Sequence, residues 1–186
     1  MDPVSPNSPA SSSSGKNPIL VYVLADSNDQ AISDAILKHL KPIVRDFPLP
    51  IEIDSDFSAP PGADRERYQA RLFEAIIVLA LISSDFIDND TLYARNQSVM
   101  DRHNRGQTVM IPVLIRNCMW KRTPFARLNV LPRNYQPLNN RQFWNSQDDA
   151  IMAVVEDIDR SLNKLARQGA IEILSLIHIS EPTRPY

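Results

Sequence analysis

Four apolar-rich stretches set the rhythm of the chain. They are ILVYVL (Ile19–Leu24), the shorter LPIEID (Leu49–Asp54), IIVLALI (Ile76–Ile82) and TVMIPVLI (Thr108–Ile115). All four predict strands, and the continuous β-branched and aromatic run at Ile19–Leu24 predicts one buried on both faces. Between them the period changes to three and four. Ile32, Ala35, Ile36, Leu40 and Ile43 mark one helix, with Asp26, Ser27 or Asn28 as its cap. DRERYQARLFEA (64–75) reads as a second helix, and residues 88–104 as a third, ended by Gly106. A last helix opens on SQDD (146–149), a Ser-x-x-acid capping pattern, and turns Ala150, Ile151, Val154, Val155, Ile158, Leu162 and Leu165 inward. It should stop near Gly169.

Strand and helix alternate throughout, which predicts an α/β domain: a doubly wound parallel sheet with helices on both faces. Pro112 inside the fourth strand points to an edge or a break in pairing. A short fifth strand is expected near Tyr135–Leu138, giving a five-stranded sheet. Ligands of such sheets sit beyond the carboxyl ends of the strands. That places candidate ligand contacts at Ala25 and Asp26 after the first strand and at Ser83 and Ser84 after the third.

Composition narrows the function classes. With 20 Lys and Arg against 22 Asp and Glu, the net charge of −2 offers no general attraction to nucleic acid or anionic lipid. The apolar runs are too short to span a bilayer. A single cysteine, Cys118, cannot form an internal disulfide and fits a reducing, cytoplasmic compartment. Residues 1–17, rich in Ser, Pro and Asn, read as a disordered leader ahead of a domain over 18–168. Residues 169–186 form a tail. Its last part, LSLIHISEPTRPY (174–186), resembles the translated end of a transposon adapter used for sequencing libraries. On that reading it is not native, and the natural protein continues beyond about Ile173.

SSDFIDNDTLYARNQSVMDRHNRG (83–106) begins where the most apolar strand ends and contains four aspartates but no glutamate. No glutamate occurs between Glu74 and Glu156. The patterns ALISSDFI, MDRHNRGQTVMIPVLIRNCMWKRTPFARLNVLP and NSQDDAIMAVVEDI resemble bacterial TIR (Toll/interleukin-1 receptor) domains, over roughly residues 19–166. The resemblance implies a flavodoxin-like fold and a role in immune or stress signalling, in which domains associate with other TIR domains. DSDFSAPPGAD (54–64) stands where the family has its BB loop, so Ser58, Pro60, Pro61, Gly62 and Asp64 become the candidate interaction residues. A sensor domain is expected beyond the carboxyl end.

Many TIR domains cleave NAD and release nicotinamide, which needs a carboxylate beside the ribose to stabilise the charge developing at the anomeric carbon. The family's glutamate position falls at about Arg95, and its neighbours Ala94, Asn96 and Gln97 are not acidic either. Asp88 and Asp90 are the substitute carboxylates within reach on the same helix. The first strand also departs from the catalytic members, with Val23-Leu24 where those often have Ser-Tyr. The expectation is therefore a signalling module that requires no cofactor. NAD is the substrate or ligand of the alternative, a hydrolase with a non-standard carboxylate.

Two further constellations compete. Asp26, Asp54, Asp56 and Asp85 all fall near strand ends, as in Mg²⁺-dependent receiver domains, but Arg116 and Asn117 stand where a phosphate-holding lysine is needed. Turn and cap duties explain most of these aspartates, and His39, His103 and Cys118 lack partners at metal-ligand spacing, so no metal is expected. Arg116, Lys121, Arg122, Arg127 and Arg133, interleaved with Trp120, Phe125 and Tyr135, make the long connection basic. Docking of a protein suits this single loop better than a nucleic-acid strand, and Trp120 and Phe125 should pack beneath it.

Overall fold

The computed structural model describes residues 18–169; the expected leader and most of the expected tail lie outside them. Four parallel strands form one sheet in the order β2-β1-β3-β4. They are β1 (Ile19–Leu24), β2 (Ile51–Ser55), β3 (Ile77–Ile82) and β4 (Val109–Leu114). The central pair, β1 and β3, is buried at every residue, as continuous apolar runs demand.

Alternate side chains feed two cores, because successive residues of a strand face opposite ways. Ile19, Val21, Val23, Ile77, Leu79, Ile111 and Val113 face one side. There they meet α1 (Gln30–Asp46) through Ile36 and Leu40, and α5 (Gln147–Arg167) through Ile151, Val154, Val155, Ile158 and Leu162. Leu20, Tyr22, Leu24, Val78, Ala80 and Ile82 face the other side, against Leu72, Phe86, Leu92, Val99, Met100 and Phe125. Helices thus cover both faces. The α5 register follows the sequence pattern, and Ser146 accepts the Asp149 N–H at 3.0 Å. Gly169 turns the chain with φ 67° just past the last helical residue, a conformation that glycine adopts freely.

Among the described residues the sheet has four strands, not five. In place of the expected strand at Tyr135–Leu138, the chain touches the outer edge of β4 at separate points. Val113 and Leu131 form an isolated parallel bridge. The Leu114 N–H donates to Leu131 O at 2.7 Å, and the Leu131 N–H to Pro112 O at 2.8 Å. Leu138 returns to donate to Leu114 O at 3.3 Å. Pro132 and Pro137 bracket the interval, and neither can supply a ladder donor, so pairing stays intermittent. Pro112 does mark an edge. Its carbonyl points outward to Leu131, so the missing N–H costs no bond to β3.

The expected helix at 88–104 is α4 (Asp90–Asn104), preceded by a short helix the sequence did not suggest, α3 (Ser84–Asp88), and earlier in the chain by α2 (Arg65–Ala70). Asn89 is extended (φ −78°, ψ 101°), ending α3 and accepting the Leu92 N–H at 3.1 Å to start α4. The first cap also differs from expectation. Asp26 caps a short 3₁₀ turn (Ser27–Asp29), and α1 follows from Asp29.

One buried residue works against the fold. Asn96 on α4 is 0% exposed, and both its amide oxygen and nitrogen lack partners among the described residues. Such groups lose their hydration with nothing in return, at about 1–3 kcal/mol each. Asn96→Leu keeps the branched heavy-atom skeleton without the unpaired polar atoms and, where the pocket accepts its slightly larger methyl groups, is expected to raise stability by roughly 1–2 kcal/mol. Urea denaturation of the two proteins checks this; a destabilised variant would mean that the amide has a bonding role.

Candidate functional site

The strand order reverses direction between β1 and β3, and a crevice opens beyond their carboxyl ends, where sheets of this kind bind ligands. The cleft there has a volume of about 520 Å³. Its walls include Ala25, Asp26, Gln30, Asp56, Asn89 and Arg95. Ala25 and Asp26 line it as expected from sequence, whereas Ser83 and Ser84 do not. Ser83 is buried, accepts the Phe86 N–H at 3.1 Å and donates to Asp29 Oδ2 at 2.5 Å. Ser84 is exposed at the start of α3.

The substitute carboxylates lie outside the cleft wall. Asp88 and Asp90 flank the break at Asn89, both exposed, and neither lines the cleft. A helix start carries its acids outward, towards water and the free N–H groups of the first turn. The acid that does face the cleft near Arg95 is Asp56, just past β2.

Arg95 holds Asp56 with both terminal nitrogens, at 2.7 and 3.0 Å, and also donates to Gln69 O at 3.3 Å. The Tyr22 hydroxyl, projecting from the central strand, donates to the same carboxylate. The Arg95 and Asp56 side chains are only 15% and 13% exposed. Burial pushes the Tyr22 phenol well above its usual range, and the bond to Asp56 adds to the shift. For Arg95, burial opposes the charge, but the hydrogen bond and attraction to Asp56 outweigh it and the guanidinium is held more firmly charged. The arrangement is a two-pronged ion pair with a third donor, in which the carboxylate has few lone pairs left to offer a ligand.

A second cluster lies at the other side of the β1 end. Asp26, Asp29 and Asp85 each bring one oxygen to within 4.8 Å of the others. Arg116, directly after the fourth apolar run, sits among them and bonds Asp29 at 2.8 Å and Asp85. Burial raises the Asp29 carboxyl above its ordinary value, against the Ser83 bond and the Arg116 charge. The Arg116 hydrogen bond holds Asp85 below its ordinary value. Three carboxylates are the right chemistry for a hard cation, but here the guanidinium already fills that role. Of the receiver-like set, Asp26 and Asp85 come together, while Asp54 and Asp56 do not join them. Asp54 pairs with Arg71 on the β2 side. Asp29 was missed by sequence reasoning, since its neighbours read only as a helix cap.

The candidate interaction loop borders the same cleft. Phe57 and Ala59 line it, while Ser58, Pro60, Pro61, Gly62 and Asp64 are exposed or nearly so. The loop is internally braced. Ser58 Oγ accepts the Ser55 N–H at 3.0 Å, Ala63 donates to Pro60 O at 3.0 Å, and Asp64 caps α2 through the Glu66 and Arg67 N–H groups. Gly62 takes φ 82°.

Elsewhere the sequence readings resolve simply. His39 bonds Ala35 O, and His103 accepts the Met110 N–H. Cys118 is half-buried, and burial pushes its thiol up, away from nucleophilic character. Trp120 and Phe125 are buried beneath the basic connection. No described helix is long and apolar enough to cross a membrane.

Comparison with known proteins finds a relative in Sinorhizobium fredii. The chain is 34% identical over 95 residues to that organism's uncharacterized protein y4lF. The match takes in 50% of this chain but 28% of the relative, so the chain spans little more than a quarter of that protein's length. No family model matches the sequence.

Proposed function

We propose that this chain is a TIR-type domain of flavodoxin-like fold, acting by association with other TIR domains rather than by cleaving NAD. The observation that carries the reading is the Arg95–Asp56–Tyr22 bond in the cleft. Stabilising a sugar cation takes a carboxylate with free lone pairs beside the anomeric carbon. The carboxylate nearest that role is spent on a guanidinium, and the position where the family has its glutamate is that guanidinium. The strand order, the helices on both faces and the exposed Pro60-Pro61-Gly62 loop agree with the rest of the reading. In it, the domain needs no cofactor, works in the cytoplasm and is joined to a sensor domain. Individual contacts are weak and become effective when many domains are held together.

Sedimentation velocity over a concentration series tests the association. The domain is expected to form larger species as its concentration rises. Pro61→Ala and Gly62→Ala should weaken assembly several-fold while leaving the monomer folded. A Cβ at Gly62 meets nothing within 4 Å, so that variant costs only the backbone strain of φ 82°, about 1 kcal/mol. Assembly indifferent to both substitutions would overturn the loop's role.

A further inference from the structure

A second concavity lies on the far edge of the sheet, between the amino-terminal half of β4, residues 127–135 and the last turns of α5. Its volume is about 560 Å³, within the range of small-molecule sites. His103, Arg127, Arg133, Arg160 and Lys164 line it, and no Asp or Glu does. In a chain of net charge −2 this is a local reversal of sign.

Two of its cations are mounted rather than loose. Asp157, 5% exposed, lies beneath them on α5. It accepts the Arg133 N–H at 3.3 Å and Arg160 at 3.0 Å, and faces Arg133 Nε at 3.5 Å. The terminal nitrogens of Arg133 bond to nothing among the described residues. Arg127 and Lys164 pair with no described carboxylate.

An aromatic wall completes the groove. Tyr135 is 52% exposed and stacks on Trp120 with centroids 5.8 Å apart at 27°. It holds φ 59°, a left-handed conformation that an aromatic residue rarely takes and that the surrounding structure must impose. The ring is thus fixed on one side and free on the other.

Addition of a peptide strand does not suit the place. The outward N–H of Met110 is taken by His103, Pro112 has none, and Leu131 already satisfies Leu114. We infer that the groove binds a mononucleotide, with its phosphates on Arg133, Arg160, Arg127 and Lys164 and its base on the free face of Tyr135. Guanidinium pairs match phosphate oxygens in geometry, and a base stacks on an aromatic face whatever its sequence. This site is separate from the cleft beyond β1 and β3 and does not depend on the reading of that cleft.

Calorimetric titration of the 186-residue chain with ADP and with inorganic pyrophosphate tests it. Both should bind, and the Arg127→Ala/Lys164→Ala double variant should weaken both about tenfold. Those two side chains hold no ion pair among the described residues, so folding is spared; Arg133→Ala should act in the same direction. Tyr135→Asn, which suits the left-handed backbone, should weaken ADP severalfold and leave pyrophosphate unchanged. Arg45→Ala, on α1 and outside the groove, should change neither. Absence of ADP binding at millimolar concentration in a protein folded by circular dichroism would overturn the proposal. So would binding indifferent to the Arg127 and Lys164 changes, or an eight-nucleotide single strand bound over a hundredfold more tightly than ADP.

Discussion

Arg95→Ala is expected to lower stability by about 2–4 kcal/mol, more than almost any other polar substitution in the domain. Among the described residues the guanidinium is the sole positive partner of Asp56, and both are nearly buried. Its removal leaves a carboxylate with only the Tyr22 hydroxyl to compensate for lost hydration. For a domain of this size the melting temperature should fall by roughly 5–15 °C. Arg95→Lys keeps the charge but loses the fork, so it should recover only part of the loss. Removing the acid too, in Arg95→Ala/Asp56→Ala, should cost less than the sum of the single changes, because no charge is then stranded. Additive single and double variants in thermal denaturation would mean that the pair carries little coupling.

Phe125→Ala should cost about 3–5 kcal/mol, the range for deleting a fully buried aromatic ring. Phe125 is 0% exposed and packs edge-on against Phe86, with ring centroids 5.9 Å apart. It joins the long connection after β4 to the core that α3 and α4 also share. Its loss should therefore loosen residues 116–138 as well as lower the denaturation midpoint. Amide hydrogen exchange should quicken most at Leu128 and Leu131. Val78 and Leu79 of β3 should change no more than the global loss of stability requires. Equal acceleration at all four amides would mean that the ring holds the whole domain rather than this connection. Phe143→Ala, at a residue 50% exposed, is the contrast and should cost well under about 1 kcal/mol.

Much of the fold was legible because its signals are local. A run such as Ile76–Ile82 has one stable use in a protein of this composition, and the inward residues of α5 repeat at helical spacing along its length. The losses came where two local signals compete or where the cause lies far along the chain. The helix expected from Asp88 begins at Asp90, because Asn89 is extended and caps it, and the short helix before it at Ser84–Asp88 carried no helical period long enough to be read. The strand expected at Tyr135–Leu138 has Pro137 inside it and Pro132 just before it, and neither can donate to a ladder. In the cleft, the arginine at the expected glutamate position could be read from the sequence, and its partner could not. Asp56 stands 39 residues earlier, and nothing in either neighbourhood predicts that they meet. Arg116 likewise reaches Asp29 and Asp85 only through the parallel alignment of β1, β3 and β4.

The central claim concerns that cleft: Asp56, the carboxylate beside the expected glutamate position, is committed to Arg95 and is not available for glycosidic chemistry. Incubation of the assembled chain with NAD at high protein concentration, followed by chromatographic quantification of nicotinamide, tests this most directly. The expected result is no release above the protein-free control, for the native chain and for Asp88→Ala and Asp90→Ala alike. Nicotinamide release that grows with protein concentration and disappears in Asp56→Asn would contradict it.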